Sequence, residues 1–329
     1  IIGGGPAGMA AAEELRRLGY QVHIYDRYDR IGGLLIYGIP SFKLEKHVVE
    51  RRSKLLADAG IHLHPNTDVG KDVGFEELRS KHDAILIATG VYEARDLQAP
   101  GVGLENIVPA LDFLIASNRK GLGDAVPAFD DGTLNADGKR IVVIGGGDTA
   151  MDCVRTAVRQ GATSVQCLYR RNKANMPGSQ REVANAEEEG VEFVWQTAPE
   201  AFLGDGSVSA VRAHRMRLGA PDATGRQVPE IIEGSSETLE ADLVIKALGF
   251  DPEDLPNLFD CEDLKVSRWG TVSVSWATMM TNLEGVFAAG DIVRGASLVV
   301  WGVRDGRDAA AAMHDYLQAK VAGLSIAAE

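Results

Sequence analysis

Cysteine is scarce in this chain of 329 residues; there are three, Cys153, Cys167 and Cys261. They form no CxxC pair and no metal-ligand spacing, which leaves no sequence basis for a redox dithiol or a thiolate metal centre. Each is expected to be a buried, inert thiol, in keeping with a reducing compartment such as the cytoplasm. The seven histidines show no metal spacing either. His47, His62, His64 and His82 read as surface or satisfied side chains. Apolar runs are short, and none approaches the roughly 20 residues of a membrane span. The most apolar late segment, Ser297 to Val303, soon meets Arg304 and Asp305. Positive charge is in deficit: 34 Lys and Arg face 47 Asp and Glu, a net −13. That balance argues against nucleic acid or an anionic membrane as the main partner.

What is present is the composition of a soluble globular protein, 45% hydrophobic and 25% charged, at a length that fits two domains. The 37 glycines cluster in motifs rather than spreading as a linker. Ile1-Ile2-Gly3-Gly4-Gly5-Pro6-Ala7-Gly8 is a short apolar strand running into a glycine turn and a helix, followed later by Asp26. Ile141-Val142-Val143-Ile144-Gly145-Gly146-Gly147-Asp148-Thr149-Ala150 repeats the plan and runs on to Tyr169-Arg170-Arg171. Both are dinucleotide-binding fingerprints, in which glycine lets the backbone approach a pyrophosphate at a helix N-terminus. An acid at the end of the second strand suits a free ribose 2′-hydroxyl, whereas arginines there suit a 2′-phosphate. One chain thus carries the marks of two different dinucleotides, which points to a flavoenzyme fed by a pyridine nucleotide, NADP(H) over NAD(H) in the second unit.

The coarse pattern predicts a helix at Ala7–Leu18 stopped by Gly19, a strand at Gln21–Tyr25 and an irregular glycine-rich stretch from Arg27 to Phe42. It predicts an amphipathic helix at Leu44–Ala59 with Leu44, Val48, Leu55 and Leu56 on its apolar side, then a buried strand at Asp83–Ala88 ending in Thr89-Gly90. In the second unit it gives strands at Arg140–Ile144, Ser164–Tyr169, Val191–Trp195 and Asp242–Ala247, with helices at Asp148–Arg159 and Arg181–Glu189. Strands near Val208–Arg217 and Glu237–Leu239 suggest a β-meander, and Asp124–Gly138 reads as a polar surface loop. A third glycine signature, Gly285 to Asp291, precedes a last helix at about Leu298–Ala319. The fold class is therefore α/β with two Rossmann-like domains, the second inserted in the first. An FAD-binding domain is expected at 1–98 and 279–329, and an NADPH-binding domain at 99–278. The chain begins at Ile1, within the expected first strand and without methionine, so an upstream segment is expected.

In the first turn Gly3 allows the bend, Gly5 leaves space for phosphates and Gly8 lets helix and strand pack. Arg30-Ile31-Gly32-Gly33 suits a second wrap of backbone around a pyrophosphate. Asp291 is placed to accept from a ribityl hydroxyl. The helix start near Leu298 can aim its positive end at the flavin N1 and C2=O edge. No side chain stands out as an acid–base catalyst, and hydride transfer between nicotinamide and flavin needs none.

With these motifs in view, the chain resembles the small (β) subunits of bacterial NADPH-dependent glutamate synthases from end to end. The likeness is carried by the Gly-Gly-Leu-Leu-Ile-Tyr-Gly-Ile-Pro run at 32–40, Lys43-Leu44-Glu45-Lys46, and Gly145 to Cys153. Tyr169-Arg170-Arg171, Met176 to Glu182 and Phe287 to Ser297 complete it. The resemblance implies electrons passing from NADPH to FAD, through iron–sulfur clusters, to a large (α) subunit that makes glutamate from glutamine and 2-oxoglutarate. Carried over by position, Gly3, Gly5, Pro6, Ala7, Asp26, Arg27, Gly33, Leu34, Thr89, Gly90, Gly290, Asp291 and Leu298 would hold FAD. The loop Gly38-Ile39-Pro40 would lie beside the isoalloxazine. Gly145, Gly147, Asp148, Thr149, Ala150, Arg170 and Arg171 would hold NADPH. Two departures stand out: the family's cysteine-rich region precedes the first fingerprint and is absent from this sequence, and Asp26 stands where many related flavoproteins carry a longer Glu. Two other readings remain, a related subunit exchanging electrons with ferredoxin and a flavin-bearing assembly scaffold without turnover. Glutathione- or thioredoxin-reductase chemistry is disfavoured by the missing CxxC.

Overall fold

Strand, glycine turn and helix recur twice, and each copy nucleates its own parallel sheet. The computed structural model describes residues 1–221 and 227–323. The last six residues of the segment expected at 279–329 lie outside the described residues. The chain divides into two compact units, one of Ile1–Tyr37, Phe42–Glu93 and Phe250–Glu329, the other of Gly38–Ser41 and Ala94–Gly249.

In the first unit Ile2 is the central rung, bridged in parallel to both Tyr25 and Ile87. His23–Tyr25 pairs with His62–His64 on one side, and Ile85–Ile87 pairs with Val286–Ala288 on the other, all parallel. The Pro6–Arg17 helix follows the centre. Proline stands in its first turn, Arg16 and Arg17 occupy the last, and Gly19 leaves it at φ 93°. These are favourable choices at each end, a preset φ, cations on the negative pole and a residue at ease in the left-handed region.

The second unit has five parallel strands in the order Ile107–Pro109, Leu243–Lys246, Arg140–Ile144, Ser164–Tyr169, Glu192–Trp195. Its Asp148–Arg159 helix packs Ala150, Cys153, Val154 and Ala157 inward at helical spacing. The meander is a four-stranded antiparallel sheet, with Ser207–Pro221 pairing Thr197–Asp205, Gln227–Ile231 and Glu237–Glu240. All three cysteines are buried, and burial pushes the Cys167 thiol up to about 12.

Several expectations are revised. The first crossing between units falls at residue 94, near the expected 98, and the second at residue 250 rather than near 279. The reason is apolar: Leu255, Phe259, Cys261, Leu264 and Val272 share a core with Ile2, Phe75, Ile85 and Val286. The helix expected at Leu44–Ala59 runs Lys46–Asp58 and buries Val49 and Leu56, while Val48 and Leu55 face solvent. Leu55 and Leu56 are equally apolar, so only the partner surface decides which one turns in. Within the stretch expected to be irregular, Leu34–Tyr37 forms a helical turn, and within the expected surface loop Pro127–Asp130 does the same while Ala136 is fully buried.

Candidate nucleotide-binding sites

The first turn is fixed by steric necessity. Gly3 has φ 101°, and a Cβ there would strike the Ala88 carbonyl. A Cβ on Gly8 would strike the Gly3 carbonyl, so helix and turn meet as closely as backbone allows. Gly5 is different. It caps the Pro6–Arg17 helix, and nothing lies within 4 Å of where its Cβ would be. That open space lies at the helix's unpaired N–H groups. Gly33 backs onto it, with its own would-be Cβ 2.9 Å from the Gly5 Cα. Leu34 begins the turn that follows, and Pro6 and Ala7 occupy the first helical positions.

Asp26 is 6% exposed and is already engaged with the turn. Its Oδ2 accepts from Gly4 N–H at 2.7 Å and its Oδ1 from Tyr28 N–H at 2.8 Å. Burial raises its carboxyl, against the lowering effect of those two bonds. Each oxygen keeps a further lone pair for another donor. Arg27 is paired with Glu253, Nη1 to Oε1 at 2.8 Å, and lies 4.9 Å over the Tyr92 ring. Its charge is therefore spent locally.

Across the sheet Gly90 has φ 75°, and the Thr89 hydroxyl is buried without a partner. Gly290 has φ 80°, and a Cβ there would sit 3.0 Å from the Ala7 Cβ. Asp291 follows, its Oδ1 accepting from Ser297 Oγ at 2.7 Å. Leu298 is exposed and caps the final helix, Val299–Val321. A flavin dinucleotide fits these residues: an open helix start, close-packed glycines behind it, and an orphaned hydroxyl awaiting a polar group.

The second turn repeats the geometry with different chemistry. Gly145 has φ 147°, and a Cβ there would meet the Ala247 carbonyl. Gly147 caps the Asp148–Arg159 helix and again has nothing within 4 Å of its Cβ position. Thr149 and Ala150 fill the first turn, Ala150 fully buried. Gly178 N–H donates to the Gly146 carbonyl at 2.9 Å and Ser179 N–H to Asp148 Oδ1 at 3.0 Å, so the 176–180 segment lies against this turn.

Arg170 and Arg171, an expected pair, differ in burial just past the end of the Ser164–Tyr169 strand. Arg170 is exposed, whereas Arg171 is 8% exposed with its Nε buried and unpartnered. A buried guanidinium with an unsatisfied donor is costly unless an anion completes it, and a 2′-phosphate has the required charge and geometry. The segment Gly38–Ser41 groups with the second unit, where Asn118 Nδ2 donates to the Gly38 carbonyl at 3.4 Å.

Sequence reasoning missed one cluster altogether. Strand pairing places His23 opposite His62 and Tyr25 opposite His64. The rings of His23 and His62 stack at 4.5 Å, and His23 Nδ1 lies 2.9 Å from His64 Nε2. His82 adds a fourth imidazole, its Nε2 3.2 Å from the Tyr25 hydroxyl. Among the described residues no group of side chains is arranged to hold a metal ion. The signal was present in His62-Leu63-His64, two residues apart and hence on one face of a strand. No described helix is long and apolar enough to cross a membrane.

A profile of the pyridine nucleotide-disulphide oxidoreductase family matches residues 1–306. The chain is 69% identical over its whole length to the glutamate synthase [NADPH] small chain of Azospirillum brasilense, spanning 68% of that protein. It is 44% identical to the putative oxidoreductase AegA of Escherichia coli strain K12, over 97% of this chain and 49% of that one. In fold it is similar to Mycobacterium tuberculosis FprA in complex with NADPH, with a TM-score of 0.81 at 19% identity, covering 100% of this chain and 86% of the other. The chain belongs to the pyridine nucleotide-disulphide oxidoreductases, and within them to the family of glutamate synthase small chains.

Proposed function

We propose that this member of the family is the NADPH-oxidising flavoprotein module of a glutamate synthase, holding FAD on its first unit and NADPH on its second. One observation carries the reading. Two helix starts stand open at Gly5 and Gly147, the first accompanied by the orphaned Thr89 hydroxyl, the second by the orphaned Arg171 Nε. In the first unit Gly3, Gly5 and Gly33 admit a pyrophosphate, Asp26 accepts from the adenosine ribose, and Thr89, Asp291 and the helix start at Leu298 receive the remainder. In the second, Gly145 and Gly147 admit the pyrophosphate, while Arg171, with Arg170 at the surface, selects the 2′-phosphate.

When bound, the cofactors supply the chemistry, a hydride passing from nicotinamide C4 to flavin N5. The chain binds and orients. Hydride transfer requires no side chain for proton transfer. The onward route, through iron–sulfur clusters to a large subunit that forms glutamate from glutamine and 2-oxoglutarate, is supported by the likeness to glutamate synthase small chains. The likeness to AegA favours a second reading of that last step alone, in which the same module delivers electrons to another acceptor.

Anaerobic addition of NADPH to purified protein tests the core of the proposal. The flavin band should bleach, and NADH at equal concentration should act far more slowly. A protein that binds flavin but does not bleach would be a scaffold. Glutamine- and 2-oxoglutarate-dependent NADPH oxidation on adding the large subunit then separates the two acceptors.

A further inference from the structure

Arg294 ends the short Asp291–Arg294 turn, and Asp305 lies near the end of the second turn of the Val299–Val321 helix. The two are joined by a fork, Nη2 to Oδ1 at 2.7 Å and Nε to Oδ2 at 2.5 Å. Asp305 is 1% exposed. The guanidinium carbon also lies 4.9 Å from the centroid of Trp276 and 5.3 Å from that of Trp301. This fork bridges the 295–298 segment, whose Ser297 hydroxyl is bonded to Asp291. Burial raises the Asp291 carboxyl, and the charge of Asp305 adds to that shift.

A buried carboxylate is expensive, and here it also competes for the positive end of the helix. It sits behind the positive end of a helix dipole and partly cancels it. Its partner restores the balance. We propose that Arg294 is a positioning residue for the flavin. It neutralises Asp305 and ties the Asp291–Arg294 turn to the final helix, so the helix start keeps its full positive end for the charge that the flavin's pyrimidine edge takes up on reduction. The proposal rests on the assignment of FAD to the first unit.

The test measures the ratio of reduced to oxidised flavin in the whole protein against a reference dye of known potential. Arg294→Gln strands the Asp305 charge and should lower the ratio about tenfold, the order expected for one uncompensated charge near a partly buried site. Asp305→Asn in the same background should return it close to the original value, and Arg294→Lys should recover most of it. Should the Asn variant fail to fold, Gln and Lys at 294 still decide between charge and brace. An unchanged ratio in Arg294→Gln, or an equal loss in the Gln, Lys and double variants, overturns the proposal and leaves the FAD assignment intact. Protein that takes up no flavin overturns both.

Discussion

The two glycine turns share a backbone plan and differ in what closes them. At the first, the residue after the second strand is Asp26, and its carboxylate folds back onto Gly4. At the second, the equivalent residue is Arg170, which leaves for solvent, and the ring of Tyr169 fills the space beside Gly146. A buried acid bonded to its own turn presents lone pairs to hydroxyl groups. A buried arginine with an unpaired donor demands an anion. The residues that follow one strand, Asp26 in the first unit and Arg170-Arg171 in the second, thus distinguish the two proposed sites, while the turns themselves are nearly interchangeable.

The comparison is broken most severely at the open glycines. Gly5→Ala and Gly147→Ala place a methyl where the structure leaves room, so each should fold with its Tm unchanged within a few degrees. Each should disable only its own pocket: flavin content should collapse in the first, and the KM for NADPH should rise about 100-fold in the second, about 2.7 kcal/mol of lost binding. Loss of both ligands in either variant would show that the pockets are not independent. A smaller effect sharpens the contrast in charge. Arg170→Ala with Arg171→Ala should lower kcat/KM for NADPH about 30-fold, in line with the 1.5–3 kcal/mol of a charge-assisted bond, and leave NADH nearly untouched. Equal losses for both nucleotides would remove the 2′-phosphate from the account.

The smallest effect is on stability and distinguishes the units by pH. Burial lowers the His23 pKa to about 4, with His62, His82 and His64 adding to it. In the unfolded chain that group titrates near 6.5, so between these values the unfolded state binds more protons. The first unit should therefore keep the full contribution of this group above pH 6.5 and lose that contribution as pH falls toward 4. The second unit has no such stack of imidazoles among its described residues and should hold over the same range. Acid titration followed by hydrogen exchange in each unit would reveal the difference, and simultaneous unfolding would refute it.

Much of this was legible beforehand because it is written locally. Strand–turn–helix at Gly145 and the elements Arg140–Ile144, Asp148–Arg159 and Ser164–Tyr169 fall where periodicity places them. What was not legible depends on partners distant in sequence. Nothing near Asp26 announces that it will bond Gly4 rather than stand free, and nothing near Arg27 announces Glu253. Val48 and Val49 are equally apolar, so which one is buried is decided by packing outside the helix. The histidine cluster exists only because two strands pair in one register. The boundary at residue 250 was hidden because the chain from 250 to 285 has little regular structure, although its apolar side chains belong to the first core.

The order in which the first sheet is completed bears on synthesis. Its middle rung, Ile2, emerges early, yet the outer strand Val286–Ala288 and the helix that covers it come from the far end of the chain. A ribosome that has released residue 249 has delivered every strand of the second sheet and only part of the first. The inserted unit is thus free to consolidate while its host waits, with Ile85 and Ile87 covered only by Ile2, Val69, Phe75 and Leu78 until residues 255–292 arrive.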